Sequence, residues 1–220
     1  MSFEHIFFDL DDTLYPSTNG LWASIRERMN DYMRQQLQLP DESIAALRQR
    51  YFETYGTTLR GLQLHHQVDA DEFLAYVHDL PIEEIIQPDV ELRQVLSALA
   101  PQKWIFTNAD ANHARRVLNA LGVADCFQGV IDIRRMNFIC KPDPRAYQVA
   151  LELAGASSPE RCLYLDDATR NLIPAHQLGM FTVLVGEDGS HSGAIPAHGV
   201  NLAIRRPHDL PRMLPELLRR

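Results

Sequence analysis

No apolar stretch in this 220-residue sequence approaches the length needed to cross a bilayer, and no basic segment leads into an apolar signal core near the N-terminus. Neither a membrane anchor nor a secretory leader is expected. Cysteine is scarce: Cys126, Cys140 and Cys162 are odd in number and show no C-x-x-C spacing, which excludes a disulfide framework. Cys162 lies in the apolar run CLYL and reads as a buried free thiol. These features fit a reducing, cytoplasmic setting. Positive charge is also in short supply, with 21 Lys and Arg against 29 Asp and Glu and a formal net charge of −8. That argues against a nucleic acid polymer or an anionic membrane as a large-surface partner, and leaves room for a small anionic ligand at a local site. Repeats and low-complexity tracts are missing, and no surface stripe marks an interface, so oligomeric state stays open.

What is present is an ordinary globular composition, 45% hydrophobic and 23% charged, in a chain long enough for one large domain or a core with an insert. Four short apolar runs stand out: HIFFDL (5–10), KWIFTN (103–108), RCLYLDD (161–167) and FTVLVG (181–186). VIDI (130–133) and NLAIR (201–205) are weaker strand candidates. Continuous rather than alternating apolarity predicts strands buried on both faces, as in a parallel sheet. Helix-like segments at 90–99, 110–121, 144–154 and 170–178 lie between them, several ending at or near Gly122, Gly155 and Gly179. Strand and helix in alternation predict a doubly wound α/β domain.

The alternation breaks once. Residues 16–88 hold no convincing strand and are far too long for a βα connection. Ile25, Met29, Tyr32, Met33 and Leu37 form one helical stripe, and Ile44, Leu47, Tyr51 and Tyr55 another. Asp69 or Asp71 is placed to cap a further helix reaching Tyr76. The expected organisation is a core of residues 1–15 and 89–220, carrying a small helical domain over 16–88. The segment 186–199, rich in Gly, Ser, His and Pro, reads as a surface loop.

The run FFDLDDTLYP sets Asp9, Asp11 and Asp12 at the mouth of the first strand, where each raises the cost of ionising the others. The other strand ends are polar as well: Thr107 and Asn108, then Asp166 and Asp167, with Lys141 between the VIDI strand and the next helix. Ligands of open parallel sheets bind outside the carboxyl ends of the strands, so four distant segments should meet at one place. Asp9 with Asp166 and Asp167 supplies hard oxygen ligands suited to Mg²⁺, whose charge would offset the repulsion among them. Thr107, Asn108 and Lys141 add a hydroxyl, an amide and a positive charge, a set suited to a phosphate group.

DLDDTLYP (9–16), FTN (106–108), KPDP (141–144) and LDDATRN (165–171) resemble, in order and spacing, the four motifs of the haloacid dehalogenase superfamily. The resemblance covers the whole core. It implies a Rossmannoid core with Asp9 as the nucleophile that forms an aspartyl-phosphate, and Asp11 as general acid/base with its main-chain carbonyl on Mg²⁺. It implies that Thr13 supports the turn, that Thr107 and Asn108 hold phosphoryl oxygens, and that Lys141 ties nucleophile to phosphate. Aligned on the fourth motif, Asp167 takes the direct metal bond, Asp166 assists through a water or as a second ligand, and Asn171 lies in the outer shell. An insert straight after the first motif resembles the helical cap of the family's first cap class.

YGTTLRGL (55–62), TNADANHARRVLNALGV (107–123) and GLW (20–22) resemble the pyrimidine 5′-nucleotidase branch, which implies a nucleoside monophosphate substrate, UMP or CMP foremost. Arg60, read as part of a polar loop TTLRG, is the insert residue singled out for substrate contact. Tyr55 and Trp22 read as packing residues. His65-His66 lacks the partners of a metal site, and His113, Arg115 and Arg116 read as a solvated helix face. Asp12 either bonds the turn or faces water. A C–halogen hydrolase, a phosphomutase, another phosphatase of the superfamily acting on small sugar phosphates, and a catalytically silent binding protein on the same fold are the competing readings. Asp11 speaks against the first, and the intact set of Asp9, Asp11, Thr107, Lys141 and Asp167 against the last.

Overall fold

Six parallel strands form one sheet in the computed structural model, which describes residues 3–186 and 198–218. They are β1 (His5–Phe8), β2 (Gln102–Phe106), β3 (Gly129–Ile131), β4 (Cys162–Asp166), β5 (Phe181–Val185) and β6 (Leu202–Ile204), in the order β3-β2-β1-β4-β5-β6. The chain fills one side of β1 first and then the other, so the strand order reverses beside β1. Phe8 of β1 is level with Ile105 of β2 and Leu165 of β4, which brings their carboxyl ends to one height. All six apolar runs are strands. The loop reading of 186–199 falls mostly outside the described residues.

Alternation along the strands divides the core into two layers. Ile6 and Phe8 face α6 (Val90–Ala98) and α7 (Ala111–Leu121), while Phe7 faces α8 (Pro144–Ala154) and α9 (Thr169–Gln177). The helices begin and end where chemistry requires. Asp110 accepts from the main-chain N–H of Asn112 and His113, and Asp143 from that of Arg145. Gly122 and Gly155 close α7 and α8 at φ 72° and 68°, the left-handed region where a Cβ is costly.

Five helices fill the insertion: α1 (Leu21–Gln35), α2 (Asp41–Tyr55), α3 (Thr58–His66), α4 (Ala70–Val77) and the single turn α5 (Ile82–Ile85). Asp69, not Asp71, caps α4. The polar loop expected at TTLRG is the start of α3 instead. Thr57 caps it by accepting from Arg60 N at 3.1 Å, and Leu59 and Leu62 turn inward. Side-chain chemistry that favours a loop also favours an N-cap, and burial of the two leucines decided between them. Gly61 lets α3 lie against α2, because a Cβ there would stand 2.2 Å from Cγ of Tyr51. The histidine pair tightens the same seam: His66 Nε2 meets the Tyr51 hydroxyl at 3.0 Å, and His65 Nε2 the Tyr55 hydroxyl at 2.7 Å. Tyr32, Leu62, Phe73 and Val77 form the insertion's own apolar cluster, each such side chain stabilising by about 1.5–3 kcal/mol. Ile133 and Cys140, from the segment after β3, are buried in that same cluster.

Candidate active site

Lys141 occupies the centre of the ring formed by the strand ends. Its ammonium donates to Asp9 Oδ1 at 2.6 Å, the Phe106 carbonyl at 2.9 Å, the Tyr164 hydroxyl at 3.0 Å and Asp166 Oδ2 at 3.0 Å. These groups come from β1, β2 and β4. Only 1% of Lys141 is exposed, so it is a buried charge whose cost is offset by its ion pairs and hydrogen bonds. Burial by itself would lower its pKa, but Asp166 and Asp9 pull it above the ordinary lysine value. Asn108 fixes the lysine from behind. Its Nδ2 donates to the Lys141 carbonyl at 3.0 Å and its Oδ1 accepts from Lys141 N at 2.9 Å, so the amide expected to face a phosphoryl group is engaged with main chain. The chain has one other lysine, Lys103; it is 4% exposed and donates to the carbonyls of Leu99 and Pro101 at 3.1 Å.

The carboxylates differ in how well they are served. Asp166 is wholly buried, accepting from Ala168 N at 2.8 Å, from Asn171 Nδ2 at 3.0 and 3.1 Å, and from the Tyr164 hydroxyl. No donor among the described residues reaches Asp167. Exposed at the mouth, Asp167 is still crowded on its inner side; that desolvation, then the charges of Asp166, Asp9 and Asp12, push its carboxyl up to about 8. Burial likewise raises Asp9 to about 7 against the pull of Lys141, and Asp12 to about 6. Asp12 turns the chain at φ 60°, and its Oδ1 is buried without a partner among the described residues, so neither expected role, turn bond nor solvation, satisfies that atom. Thr13 is buried with its hydroxyl likewise unpartnered, so it does not hold the turn by a side-chain bond. Thr107 is 2% exposed, and its Oγ1 accepts from Ala109 N at 3.0 Å, which leaves its O–H as a donor.

Asp9, Asp166 and Asp167 each offer an oxygen, and these atoms lie within 4.8 Å of one another. One ammonium faces all of them, so with all three ionised the site holds surplus negative charge. An all-oxygen donor set with that surplus fits a hard divalent cation.

Asp11 sits two residues beyond Asp9 and is held by one oxygen. Its Oδ1 accepts from His113 Nε2 at 2.8 Å and from the Tyr15 hydroxyl. Burial opposes ionisation of Asp11, but the His113 charge and these hydrogen bonds outweigh it and keep the carboxyl below its ordinary range. His113, expected on a solvated face, is 1% exposed. It shares the inward stripe of Val117 and Leu121, four and eight residues on, a spacing from which its burial was legible. Tyr164 was readable in a similar way, since it lies two residues before Asp166 and so on the same face of β4. Arg60, from the insertion, is half-buried on α3 and touches Gln63 at 3.5 Å, with no hydrogen bond to the carboxylates among the described residues.

The doubly wound parallel fold is shared with known hydrolases. The haloacid dehalogenase-like hydrolase family matches this chain over residues 3–179. Phosphate metabolism protein 8 of Saccharomyces cerevisiae is 31% identical over 192 residues, which is 81% of this chain and 60% of that protein. Among solved structures, the HAD phosphatase from Thermococcus onnurineus superposes with a TM-score of 0.64 at 19% identity, covering 96% of this chain and 97% of that one. The L-2-haloacid dehalogenase from Xanthobacter autotrophicus, with chloropropionic acid covalently bound, gives 0.62 at 17% identity over 97% and 98%. The chain belongs to the haloacid dehalogenase-like hydrolase family. Its three cysteines are free, and no helix among the described residues is long and apolar enough to cross a membrane.

Proposed function

We propose that the protein is a Mg²⁺-dependent phosphatase that hydrolyses small phosphate monoesters through an aspartyl-phosphate on Asp9, with a nucleoside 5′-monophosphate as the preferred substrate. The carrying observation is Asp9 held at 2.6 Å by a buried lysine, with a second carboxylate anchored two residues on. Asp9 Oδ attacks phosphorus in line and the ester oxygen departs with a proton from Asp11, whose protonated form is the minor one because His113 holds its carboxyl below the ordinary range. Asp11, now a carboxylate, takes a proton from water as that water attacks phosphorus, which releases phosphate and restores Asp9. Lys141 and the Thr107 hydroxyl stabilise the charge on the transferring group. Asp9, Asp167 and the Asp11 carbonyl would hold Mg²⁺ directly, with Asp166, already supplied with donors, behind them. The cation supplies charge neutralisation for the phosphoryl oxygens. Free buried thiols fit a cytoplasmic location.

Residues 16–88 act, in this reading, as a cap over a core of 1–15 and 89–220. Contacts between the α2–α3 turn and the catalytic segment support this. A Cβ on Gly56 would stand 2.7 Å from the Lys141 carbonyl, the Thr57 hydroxyl lies 3.4 Å from Cys140 Sγ, and Arg170 donates to the Phe52 carbonyl at 3.2 Å. Arg60 stands in the first turn after that junction, where it is placed to contact the leaving part of a substrate. The motif likenesses favour UMP and CMP.

Cation binding should be visible in stability. Asp9 and Asp167 titrate near 7 and 8 when folded against 3.8 as their ordinary value, so the folded protein retains protons that the unfolded chain has released. Their contribution to stability therefore falls as pH rises from about 4 to about 8. Mg²⁺ should offset this where the carboxylates are ionised. The rise in melting temperature on adding Mg²⁺ is expected to be larger at about pH 8 than at about pH 5. An equal shift at both pH values, or none, would remove the metal assignment.

The function is tested by phosphate release from UMP, CMP, AMP, GMP, a sugar phosphate and p-nitrophenyl phosphate, with Mg²⁺ or chelator, alongside chloride release from a 2-haloacid. Mg²⁺-dependent turnover strongest on UMP and CMP is the expected result. Even turnover across the panel would discard the pyrimidine preference, and chloride release without phosphate release would discard the phosphatase.

A further inference from the structure

Asp110, His113 and Arg116 recur every three residues from the N-cap of α7, and each meets a partner outside that helix. Arg116 donates to the carbonyls of His78 and Leu80 at 3.0 and 2.6 Å, on the segment where the chain returns from the insertion. Asp110, having capped α7 with Oδ1, uses Oδ2 to meet His78 Nδ1 at 2.7 Å. The His78 ring lies over the His113 ring at 4.2 Å and 21°. His113 then reaches Asp11 at 2.8 Å. A continuous set of contacts thus runs from the insertion's return segment to the carboxylate beside the nucleophile.

Both donors to Asp11, His113 Nε2 and the Tyr15 hydroxyl, bind the same oxygen, Oδ1. No donor among the described residues reaches Oδ2. A carboxylate pinned through one oxygen has its plane and rotamer fixed while the other oxygen stays available, the arrangement a proton-transfer group needs. Tyr15 alone, four residues away on the same turn, moves with Asp11; His113 belongs to a different element and gives the turn a fixed reference.

We propose that His113 is a positioning residue for the acid/base Asp11, and that His78 and Asp110 make its hold conditional on the docked insertion. This rests on the phosphatase reading above. His113 transfers no proton in this account; it holds Asp11 Oδ1 so that Oδ2 faces the leaving oxygen and then the water.

The leaving group separates this role from plain packing. p-Nitrophenolate leaves without help from an acid, so Asp9 can be phosphorylated by p-nitrophenyl phosphate even when Asp11 is misplaced, whereas hydrolysis of the aspartyl-phosphate still needs Asp11 as base. In His113→Leu, steady-state turnover of both p-nitrophenyl phosphate and an alkyl phosphate is expected to fall roughly 100-fold, with a burst of about one p-nitrophenolate per active site remaining. His113→Gln keeps an N–H donor at that position and should recover most of the rate, which also guards against a His113→Leu protein that fails to fold. His78→Leu should lose roughly 10-fold in the same burst-retaining manner. Equal loss in His113→Gln and His113→Leu, loss of burst and turnover together, or wild-type rates in His113→Leu would each overturn the assignment. A wild-type enzyme that releases phosphate while the variants miss this pattern defeats only the His113 role; a wild-type enzyme that releases none defeats the phosphatase reading with it.

Discussion

Asp9→Asn should abolish phosphate release, by roughly 10⁴-fold or more, while leaving the fold intact. An amide cannot attack phosphorus as a carboxylate does, and no other carboxylate is held on the lysine in the same way with a free path to a substrate. Asp166 is wholly buried and surrounded by donors. The fold should survive because the substitution keeps shape and an acceptor for Lys141. Burial already raises the Asp9 carboxyl to about 7, so the charge being removed is one the folded protein holds at a cost. In chelator at about pH 8, the variant's melting temperature should equal or exceed that of the wild type. Near-normal activity in a folded Asp9→Asn protein would remove Asp9 as nucleophile.

Lys141→Met should do the opposite to the fold. Methionine fills much of the same volume but carries no charge, and it leaves Asp9 and Asp166 facing each other in a dry site with Tyr164 and the Phe106 carbonyl short of a donor. Removing one partner of a buried ion pair typically costs about 3–5 kcal/mol, here equivalent to a melting temperature roughly 10 °C lower. Turnover should also disappear. Protonation relieves the unopposed carboxylates, so the loss of stability should shrink at about pH 5 relative to about pH 8. Scanning calorimetry at both pH values checks this, and an unchanged melting temperature at the higher pH would mean that the lysine does not hold the strand ends together.

The parts of this protein that the sequence disclosed are those whose signal is local. Each strand is buried on both faces, so HIFFDL and CLYL stand out as unbroken apolar runs, and the residues at their carboxyl ends follow from the sheet's geometry. Contact between Asp9 and Lys141, 132 residues apart, was legible because each belongs to a motif of its own. What escaped is what depends on partners. Thr57-Thr58 suits a loop or an N-cap equally, and only the burial of Leu59 and Leu62 makes it the start of α3. His113 sits among the polar neighbours Asn112, Arg115 and Arg116, which mask its local spacing with Val117 and Leu121, and the partner it turns inward to meet is a carboxylate 102 residues earlier in the chain. Asn108 looks like a phosphate ligand by position, yet its amide is matched to the main chain of a residue 33 positions on.

The placement of the two lysines has a chemical consequence. With Lys103 and Lys141 both inside, the surface carries no lysine amine, and its permanently charged basic side chains are all guanidinium. Guanidinium groups do not acylate or form Schiff bases under conditions where amines do. An amine-directed reagent that inactivates the folded protein through a side chain must therefore wait for the strand ends to part around Lys141, and its rate of inactivation becomes a clock for how often the site opens.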